Sequence, residues 1–265
     1  MGESQRLLLR GPGIILAAGA HDALSAKLAE QSGFDAIWAS GFGLSAVQAV
    51  PDANILTLTE TLEAVRRIVD AVGIPVIADC DNGYGNAINV MRTAAEFERA
   101  GAAGICIEDN EFPKRCSFYA GVRRDLVPVE EHARKVQAAS AARQDADFLV
   151  IARTEALIVG LGLDEALRRA RAYADAGADA VLVHSKSSNF TELKDFSRSW
   201  DRPVPLVAVP TTYPAVDAAA LAAVPLRRIS PSTSRMATIA ARSAWLAKIA
   251  IRKPAAASSA APTVG

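Results

Sequence analysis

Residues 74–86 read Ile74-Pro-Val-Ile-Ala-Asp-Cys-Asp-Asn-Gly-Tyr-Gly-Asn86, an apolar run followed by two aspartates and a glycine-rich turn. A short apolar run bounded by turn residues is typical of a buried strand in a parallel sheet. Residues two apart on a strand share a face, so Asp79 and Asp81 should point together and Cys80 away from them. Such a carboxylate pair favours a divalent cation with oxygen ligands, unless one aspartate caps a helix and its neighbour is solvated.

Strand-like and helix-like segments alternate on both sides of this stretch. The predicted strands are residues 14–18, 36–40, 75–79, 104–108, 148–153, 180–184, 206–210 and 227–230. The predicted helices are residues 23–31, 59–71, 87–100, 129–142, 164–176, 190–200, 215–223 and 234–251. Eight strands alternating with eight helices predict a wholly parallel sheet, because parallel neighbours need a crossover connection.

Three of these units share one plan, in which a helix ends at a glycine and a buried strand follows. The glycines are Gly33, Gly101 and Gly177, each where a left-handed helix cap is expected. Eight such units predict an α/β fold, a (β/α)₈ TIM-type barrel forming a single domain over residues 1–251. An open doubly wound sheet is the main alternative, but no G-x-G-x-x-G follows the first strand.

Two segments fall outside the alternation. Residues 109–128, after the fourth strand, form a long charged connection of the kind that serves as a lid or binding loop. Residues 252–265 have no periodic apolar pattern and are predicted to be a disordered tail.

Composition excludes several classes of function. The 29 acidic and 29 basic residues balance, so no overall field attracts nucleic acid or an anionic membrane. No apolar run approaches the roughly 20 residues needed to span a bilayer, and the first residues lack the features of a signal peptide. The three cysteines form neither a disulfide framework nor a C-x-x-C pair. We therefore expect a cytoplasmic protein with reduced thiols.

Polar residues gather at the carboxyl ends of the predicted strands, where barrels of this kind place their active sites. They are Ser40, Asp79, Asp81, Glu108, Asp109, Arg153, Glu155, His184, Ser185, Lys186, Thr211 and Thr212. This clustering favours a metal site made of Asp79, Asp81 and Glu108. Mg²⁺ suits such oxygen ligands, and zinc is less favoured because no His or Cys lies at ligand spacing beside them.

Basic residues should face these acids across the barrel mouth. Arg153 and His184 suit an anionic ligand, since Arg binds carboxylate or phosphate with two donors and His can donate a hydrogen bond or a proton. Alternatively, Arg153 forms an ion pair with Glu155, and His184 is a structural histidine. His132 is expected to be solvated on a polar helix face.

The three thiols are expected to differ in their surroundings. Cys80 should pack between strand and helix, and Cys106 inside the barrel; neither suits a nucleophile. Cys116 lies in the predicted lid, where it is either a participant in the chemistry or a passive loop thiol.

Several stretches together resemble the isocitrate lyase / phosphoenolpyruvate mutase superfamily, over nearly the whole chain. Within it the resemblance is greatest to the phosphonopyruvate hydrolases and phosphoenolpyruvate mutases. The stretches are residues 24–34, 38–42, 50–56, 79–86, 108–114, 151–158, 184–186 and 209–214.

The resemblance implies a Mg²⁺-dependent enzyme acting on small 2-oxo acids or phosphonates, and a homo-oligomer, commonly a dimer or tetramer. It implies that Asp79 binds the metal and that Asp81 and Glu108 hold metal-bound waters. Its implied substrate-binding residues are Trp38, Ser40, Gly41, Phe42, Asp52, Arg153 and His184, and its implied phosphoryl contacts are Arg153, His184 and Lys114.

The lid departs from the patterns of the relatives. It reads Glu108-Asp-Asn-Glu-Phe-Pro-Lys-Arg-Cys-Ser117. Cys116 stands where the mutases carry Asn and the hydrolase Thr, and Asn110 replaces the Lys of both. The C–C lyases share Lys-Arg-Cys at this place but continue with Gly-His, whereas this chain continues with Ser117.

Our leading hypothesis is therefore cleavage of the P–C bond of 3-phosphonopyruvate to pyruvate and phosphate through an enolate. The predicted catalytic residues are Lys114, Cys116, Ser117, Arg153 and His184. The alternatives are a phosphoenolpyruvate mutase, a C–C lyase or hydrolase of an acid such as oxaloacetate or 2-methylisocitrate, and a barrel that binds a metabolite without converting it.

Overall fold

A computed structural model describes residues 13–117 and 121–209, with residues 238–239 and 248–253 described as main chain. Its strands are β1 (Gly13–Ala20), β2 (Ala36–Ala39), β3 (Val76–Asp79), β4 (Gly104–Glu108), β5 (Leu149–Thr154), β6 (Ala180–Val183), β7 (Leu206–Val207), β8 (Thr238–Ile239) and β9 (Lys248–Lys253). Its helices are α1 (Ala23–Gln31), α2 (Gly41–Val47), α3 (Leu58–Ala71), α4 (Ala87–Arg99), α5 (Val129–Ala142), α6 (Gly162–Asp175) and α7 (Thr191–Ser199).

The strands form one sheet in which β1 to β8 follow the order of the chain. Each of these eight strands runs parallel to its sequence neighbours. A parallel sheet wound in chain order, with helices between its strands, is the barrel arrangement. The predicted barrel fold, with a long loop after β4, is confirmed.

The end of the chain differs from the prediction. The strand β9 pairs antiparallel with β1, so the prediction of a wholly parallel sheet is wrong. The predicted helix at residues 234–251 is also wrong where β8 and β9 lie. The segment Lys248–Lys253 carries two isoleucines in alternation with Ala250, which suits a strand, and it covers the otherwise open edge of β1.

Some predicted elements lie outside the described residues. These are the strand at residues 227–230, the helix at 215–223 and residues 254–265 of the predicted tail, and the predicted mouth residues Thr211 and Thr212 lie outside the described residues as well. The first two residues of that tail, Arg252 and Lys253, belong to β9.

Alternation along the strands divides the apolar residues between two cores. One set faces the barrel interior, where Trp38, Ile77, Cys106, Ile151 and Leu182 pack together. The residues between them face the helices and form the larger core. Cys106 therefore lies inside the barrel and Cys80 between sheet and helices, as predicted.

The helix ends follow the predicted plan. Gly33, Gly101 and Gly177 adopt φ values of 81°, 83° and 102°, the left-handed conformation expected after a helix. The short helix α2 was not predicted; the side chain of Ser40 caps it by accepting a hydrogen bond from the Gly43 amide at 3.2 Å. Within the described ranges, every helix is too short or too polar to cross a membrane.

Candidate active site

The polar side chains at the barrel mouth occupy the inward-facing position at the end of each strand. Residues two apart share a face. Ile77, Cys106, Ile151 and Leu182 lie in the interior core. Two positions after each of them comes a polar residue on the same face, namely Asp79, Glu108, Arg153 and His184. The strand register therefore brings these four polar residues to one end of the barrel, as the sequence predicts.

Asp79 and Asp81 meet beside the start of α2. A methyl group built on Gly41 would lie 2.9 Å from Asp81 Oδ1 and 3.5 Å from Asp79 Oδ2. Both carboxylates thus face the same point, and the main chain of Gly41 approaches them closely. Asp81 follows the end of β3 and adopts a left-handed φ of 50°, and its amide lies 3.3 Å from Asp79 Oδ1.

The lid contributes a buried lysine to these acids. Lys114 Nζ lies 2.8 Å from Asp52 Oδ1 and also pairs with Asp81. The Lys114 amide donates to Asn54 Oδ1 at 2.6 Å, and Asn54 Nδ2 donates to Asp81 Oδ2 at 3.1 Å. The lid therefore lies over the mouth, with Lys114 fixed at both its main chain and its side chain.

Arg153 and His184 form a second group around Glu155. Arg153 Nε lies 2.5 Å from Glu155 Oε1 and 3.1 Å from Glu108 Oε2. His184 Nδ1 lies 2.9 Å from the same Glu155 oxygen and 2.9 Å from a terminal nitrogen of Arg153. The ion pair between Arg153 and Glu155, which the sequence left as an alternative, is thus present. It leaves Arg153 at the mouth beside His184.

The charges at the mouth perturb one another. Burial, with repulsion from Asp79, Glu108 and Asp52, raises the pKa of Asp81 to about 7 despite attraction from Lys114. Burial lowers the pKa of Lys114, but attraction from the surrounding acids outweighs it and leaves that pKa well above its usual range. Burial alone would raise the pKa of Glu155. The attraction of Arg153 and His184 outweighs burial, so the net effect lowers the pKa and the side chain stays ionised.

The balance of acidic and basic side chains at the mouth indicates whether a cation could bind there. Five buried carboxyl groups (Asp52, Asp79, Asp81, Glu108 and Glu155) face two permanently basic side chains, Lys114 and Arg153. Acids in such excess favour a further positive charge. No three His, Cys, Asp or Glu side chains in the described ranges converge closely enough to hold an ion by themselves. The donor set therefore fits a magnesium ion that takes few carboxylates and completes its shell with water.

The other predicted site residues lie around this mouth or beneath it. Trp38 is buried in the interior core, and Ser40 is the cap of α2. The Phe42 side chain is 48 % exposed. Cys116 is buried, and its carbonyl accepts hydrogen bonds from Arg124. Ser117 Oγ lies 2.8 Å from Glu155 Oε2.

The sequence did not predict the contacts of Asn54, nor those that Glu155 makes with His184 and Ser117 in addition to its ion pair with Arg153. Asn54 lies in one of the stretches that carry the resemblance and joins the lid to Asp81. Glu155 lies two residues after Arg153 and so continues the inward-facing alternation, a signal that was visible in the sequence. The prediction that His132 is solvated is wrong: it is fully buried, with its ring 4.5 Å from that of Tyr173.

Asp109 holds the base of the lid to the neighbouring strand and helix. Its carboxylate accepts hydrogen bonds from the Glu155 amide, Thr154 Oγ1, Arg169 and Tyr173 at 2.8–3.0 Å. Burial raises the pKa of Asp109 against the lowering effect of these donors. Asp109 is thus a structural link, and it fixes the main chain of Glu155.

The barrel and its mouth define an α/β enzyme with its polar site beneath a loop after β4. Residues 5–250 match the family described as phosphoenolpyruvate phosphomutase, and the chain belongs to that family, within the phosphoenolpyruvate mutase / isocitrate lyase superfamily. It is 51 % identical over 221 residues to phosphonopyruvate hydrolase of Variovorax sp. (strain Pal2), covering 83 % of this chain and 76 % of that protein.

Solved structures give the same result. A phosphoenolpyruvate phosphomutase from Streptomyces platensis subsp. rosaceus is 49 % identical with a TM-score of 0.83, covering 89 % of this chain and 79 % of the other. A phosphonopyruvate hydrolase in complex with oxalate and Mg²⁺ is 50 % identical with a TM-score of 0.74, covering 84 % and 74 %. The chain is therefore similar to both hydrolases and mutases.

Proposed function

We propose that this chain cleaves the P–C bond of 3-phosphonopyruvate with Mg²⁺ and water, giving pyruvate and phosphate. The observation that carries the proposal is the convergence of a buried acid group with Arg153, His184 and Lys114 beneath the lid. Such a mouth suits a small dianion with a metal-binding oxo-acid at one end and a phosphoryl group at the other. The 51 % identity to a phosphonopyruvate hydrolase supports the same substrate.

Asp79 would hold Mg²⁺, with Asp81 and Glu108 accepting hydrogen bonds from its waters. When bound, Mg²⁺ supplies positive charge to the oxygens of the 2-oxo acid. The Gly41 main chain comes close to Asp79 and Asp81, and the carboxylate end of the substrate would lie on this side of the mouth. Asp52 pairs with Lys114 and sets its position.

Arg153, His184 and Lys114 would bind the phosphoryl oxygens as charge redistributes in a loose transition state. The P–C bond breaks with its electron pair passing to the pyruvyl fragment as an enolate, which then takes a proton at carbon. Water adds its oxygen to phosphorus and releases a proton. The lid segment at Cys116 and Ser117 would determine whether water reaches phosphorus.

A phosphoenolpyruvate mutase is the second candidate, favoured by the similarity to the Streptomyces platensis enzyme. Both reactions share every step until the phosphoryl group leaves carbon. In the mutase it returns to the enolate oxygen, whereas in the hydrolase it meets water. Cys116 differs from both patterns, so we assign the choice to this part of the lid.

Incubation with 3-phosphonopyruvate and Mg²⁺, followed by ³¹P NMR, tests the proposal. We expect equal amounts of pyruvate and phosphate, with loss of turnover in EDTA and in Asp79→Asn. Asp195→Asn on α7, whose side chain is 45 % exposed, is the matched control and should keep full activity. Formation of phosphoenolpyruvate would identify a mutase, and cleavage of oxaloacetate or 2-methylisocitrate alone a C–C lyase or hydrolase.

Substitution of Cys116 tests the role of the lid. Cys116→Ala should change either the rate of phosphate release or the ratio of phosphate to phosphoenolpyruvate. If every activity survives Cys116→Ala unchanged, the thiol is a passive part of the loop. Sedimentation analysis of the same preparation would test the expected dimer or tetramer.

A further inference from the structure

We propose that Glu155 is a positioning residue that couples the lid to Arg153 and His184. One oxygen of its carboxylate contacts Arg153 Nε at 2.5 Å and His184 Nδ1 at 2.9 Å. The other oxygen accepts a hydrogen bond from Ser117 Oγ of the lid at 2.8 Å. The inference rests on the proposed function only in taking Arg153 and His184 as the phosphoryl-binding pair.

The surroundings of Glu155 favour this role. The side chain is fully buried, its amide donates to Asp109 at 2.9 Å, and the β5 strand ends one residue before it. A carboxylate held in this way has little freedom to move, so its position determines where Arg153 and His184 can lie when they contact it. Hydrogen bonds to a buried ionised group are also among the stronger ones, so loss of one should be measurable.

The coupling follows from the shared carboxylate. With the lid over the mouth, Ser117 reaches Glu155, and that contact adds a third donor to the carboxylate that orients Arg153 and His184. A closed lid should therefore hold the phosphoryl-binding pair in one arrangement, and an ordered pair should in turn favour the closed lid. Glu155 contacts Ser117 through one carboxylate oxygen and both basic residues through the other, so Glu155 carries the effect.

The rate at which trypsin cleaves the lid measures how often the lid is accessible to the protease, and the measurement needs no substrate. The lid offers Arg115 and Arg123, and the Arg123 side chain is 83 % exposed. We expect Ser117→Ala and Glu155→Met each to raise the cleavage rate roughly tenfold or more. The double variant should be cleaved no faster than Glu155→Met alone, because both changes remove the same contact. Rates that multiply in the double variant would overturn the proposal.

Inorganic phosphate tests the other side of the coupling. Ser117→Ala should weaken phosphate binding, measured by calorimetry, by a factor similar to its effect on the lid. The conservative Glu155→Gln should restore much of the lid protection that Glu155→Met loses, yet still bind phosphate weakly, because it lacks the charge that orients Arg153. Unchanged phosphate affinity in Ser117→Ala would show that lid and pair act independently.

Controls separate a coupling from a loss of fold. Ser32→Ala after α1 and the exposed Glu63→Gln on α3 are matched changes far from the mouth, and both should leave lid cleavage unchanged. If Glu155→Met has a much lower melting temperature than the wild type, the lid cleavage and phosphate affinity of Ser117→Ala are used to test the coupling. If the wild-type chain neither cleaves phosphonopyruvate nor binds phosphate, the proposed function fails. The coupling is then judged by His184→Ala, which should speed lid cleavage only while Glu155 is present.

Discussion

Gly41 is the residue at which the main chain comes nearest to the acids of the site. A methyl group there would lie 2.9 Å from Asp81 Oδ1, closer than real Cβ contacts, and Asp81 cannot retreat easily because Lys114 and Asn54 hold it. The need for glycine at this position therefore arises from the packing of two carboxylates against α2 and not from a left-handed turn.

Gly41→Ala should lower kcat/KM for phosphonopyruvate at least a hundredfold with little change in thermal stability. The added methyl group would displace Asp81, and small misplacements at a reacting centre are costly. Gly73→Ala, outside the site and with only a Glu30 oxygen at 3.3 Å, serves as the control. Full activity of Gly41→Ala would place the substrate elsewhere.

At the scale of the element, α5 carries a buried histidine into the larger core. His132 is fully buried against Tyr173, with Lys135 and Arg169 nearby. Burial first, and then repulsion from Lys135 and Arg169, lowers the pKa of His132 to about 3 from an ordinary 6.5. The main chain of Ile107 opposes this shift. The ring is therefore neutral in the folded protein.

His132 should make the protein less stable as the pH falls. Between pH 6.5 and about 3 the unfolded chain binds a proton at this residue and the folded chain does not, so the free energy of unfolding rises with pH. At pH 5 the loss should be about 2 kcal/mol relative to pH 7.5. Urea unfolding of His132→Gln should lack this part of the pH dependence, while His21→Gln, at a partly exposed ring, keeps it. Parallel curves for wild type and His132→Gln would contradict the assignment.

For the whole molecule, the curled parallel sheet brings acids from distant segments together, and the nearby basic side chains are too few to neutralise them. Asp52, Asp79, Asp81 and Glu108 come from three separate connections or strands, and Lys114 reaches them from the lid. A bound cation should therefore stabilise the folded barrel relative to the unfolded chain, in which these acids are far apart.

Mg²⁺ should raise the melting temperature. At a hundred times its Kd a ligand adds about 2.7 kcal/mol, which for a chain of this size corresponds to roughly 5–10 °C. Asp79→Asn should abolish most of this shift, and Asp195→Asn should preserve it. Scanning calorimetry with Mg²⁺ and with EDTA measures both. If Mg²⁺ raised the melting temperature of Asp79→Asn and of the wild type equally, the metal would not bind at Asp79.

The sequence by itself determined the alternation of strands and helices, the inward-facing polar residue at each strand end and the family. These are local or periodic properties: a strand's face follows from its period of two, and a helix end from its glycine. The left-handed conformation of Gly33 and the shared inward face of Ile77 and Asp79 could be predicted because each depends only on residues nearby in the sequence.

Only the tertiary structure decided which side chains meet across the mouth and around it. The contacts of Lys114 with Asp52 and Asp81, and of Glu155 with both His184 and Ser117, join residues some 30 or more positions apart, or residues of separate elements. The burial of His132 and the antiparallel pairing of β9 likewise depend on what lies opposite them. Such pairings depend on how the sheet curls and how the loops fold over it, and no local pattern encodes that geometry.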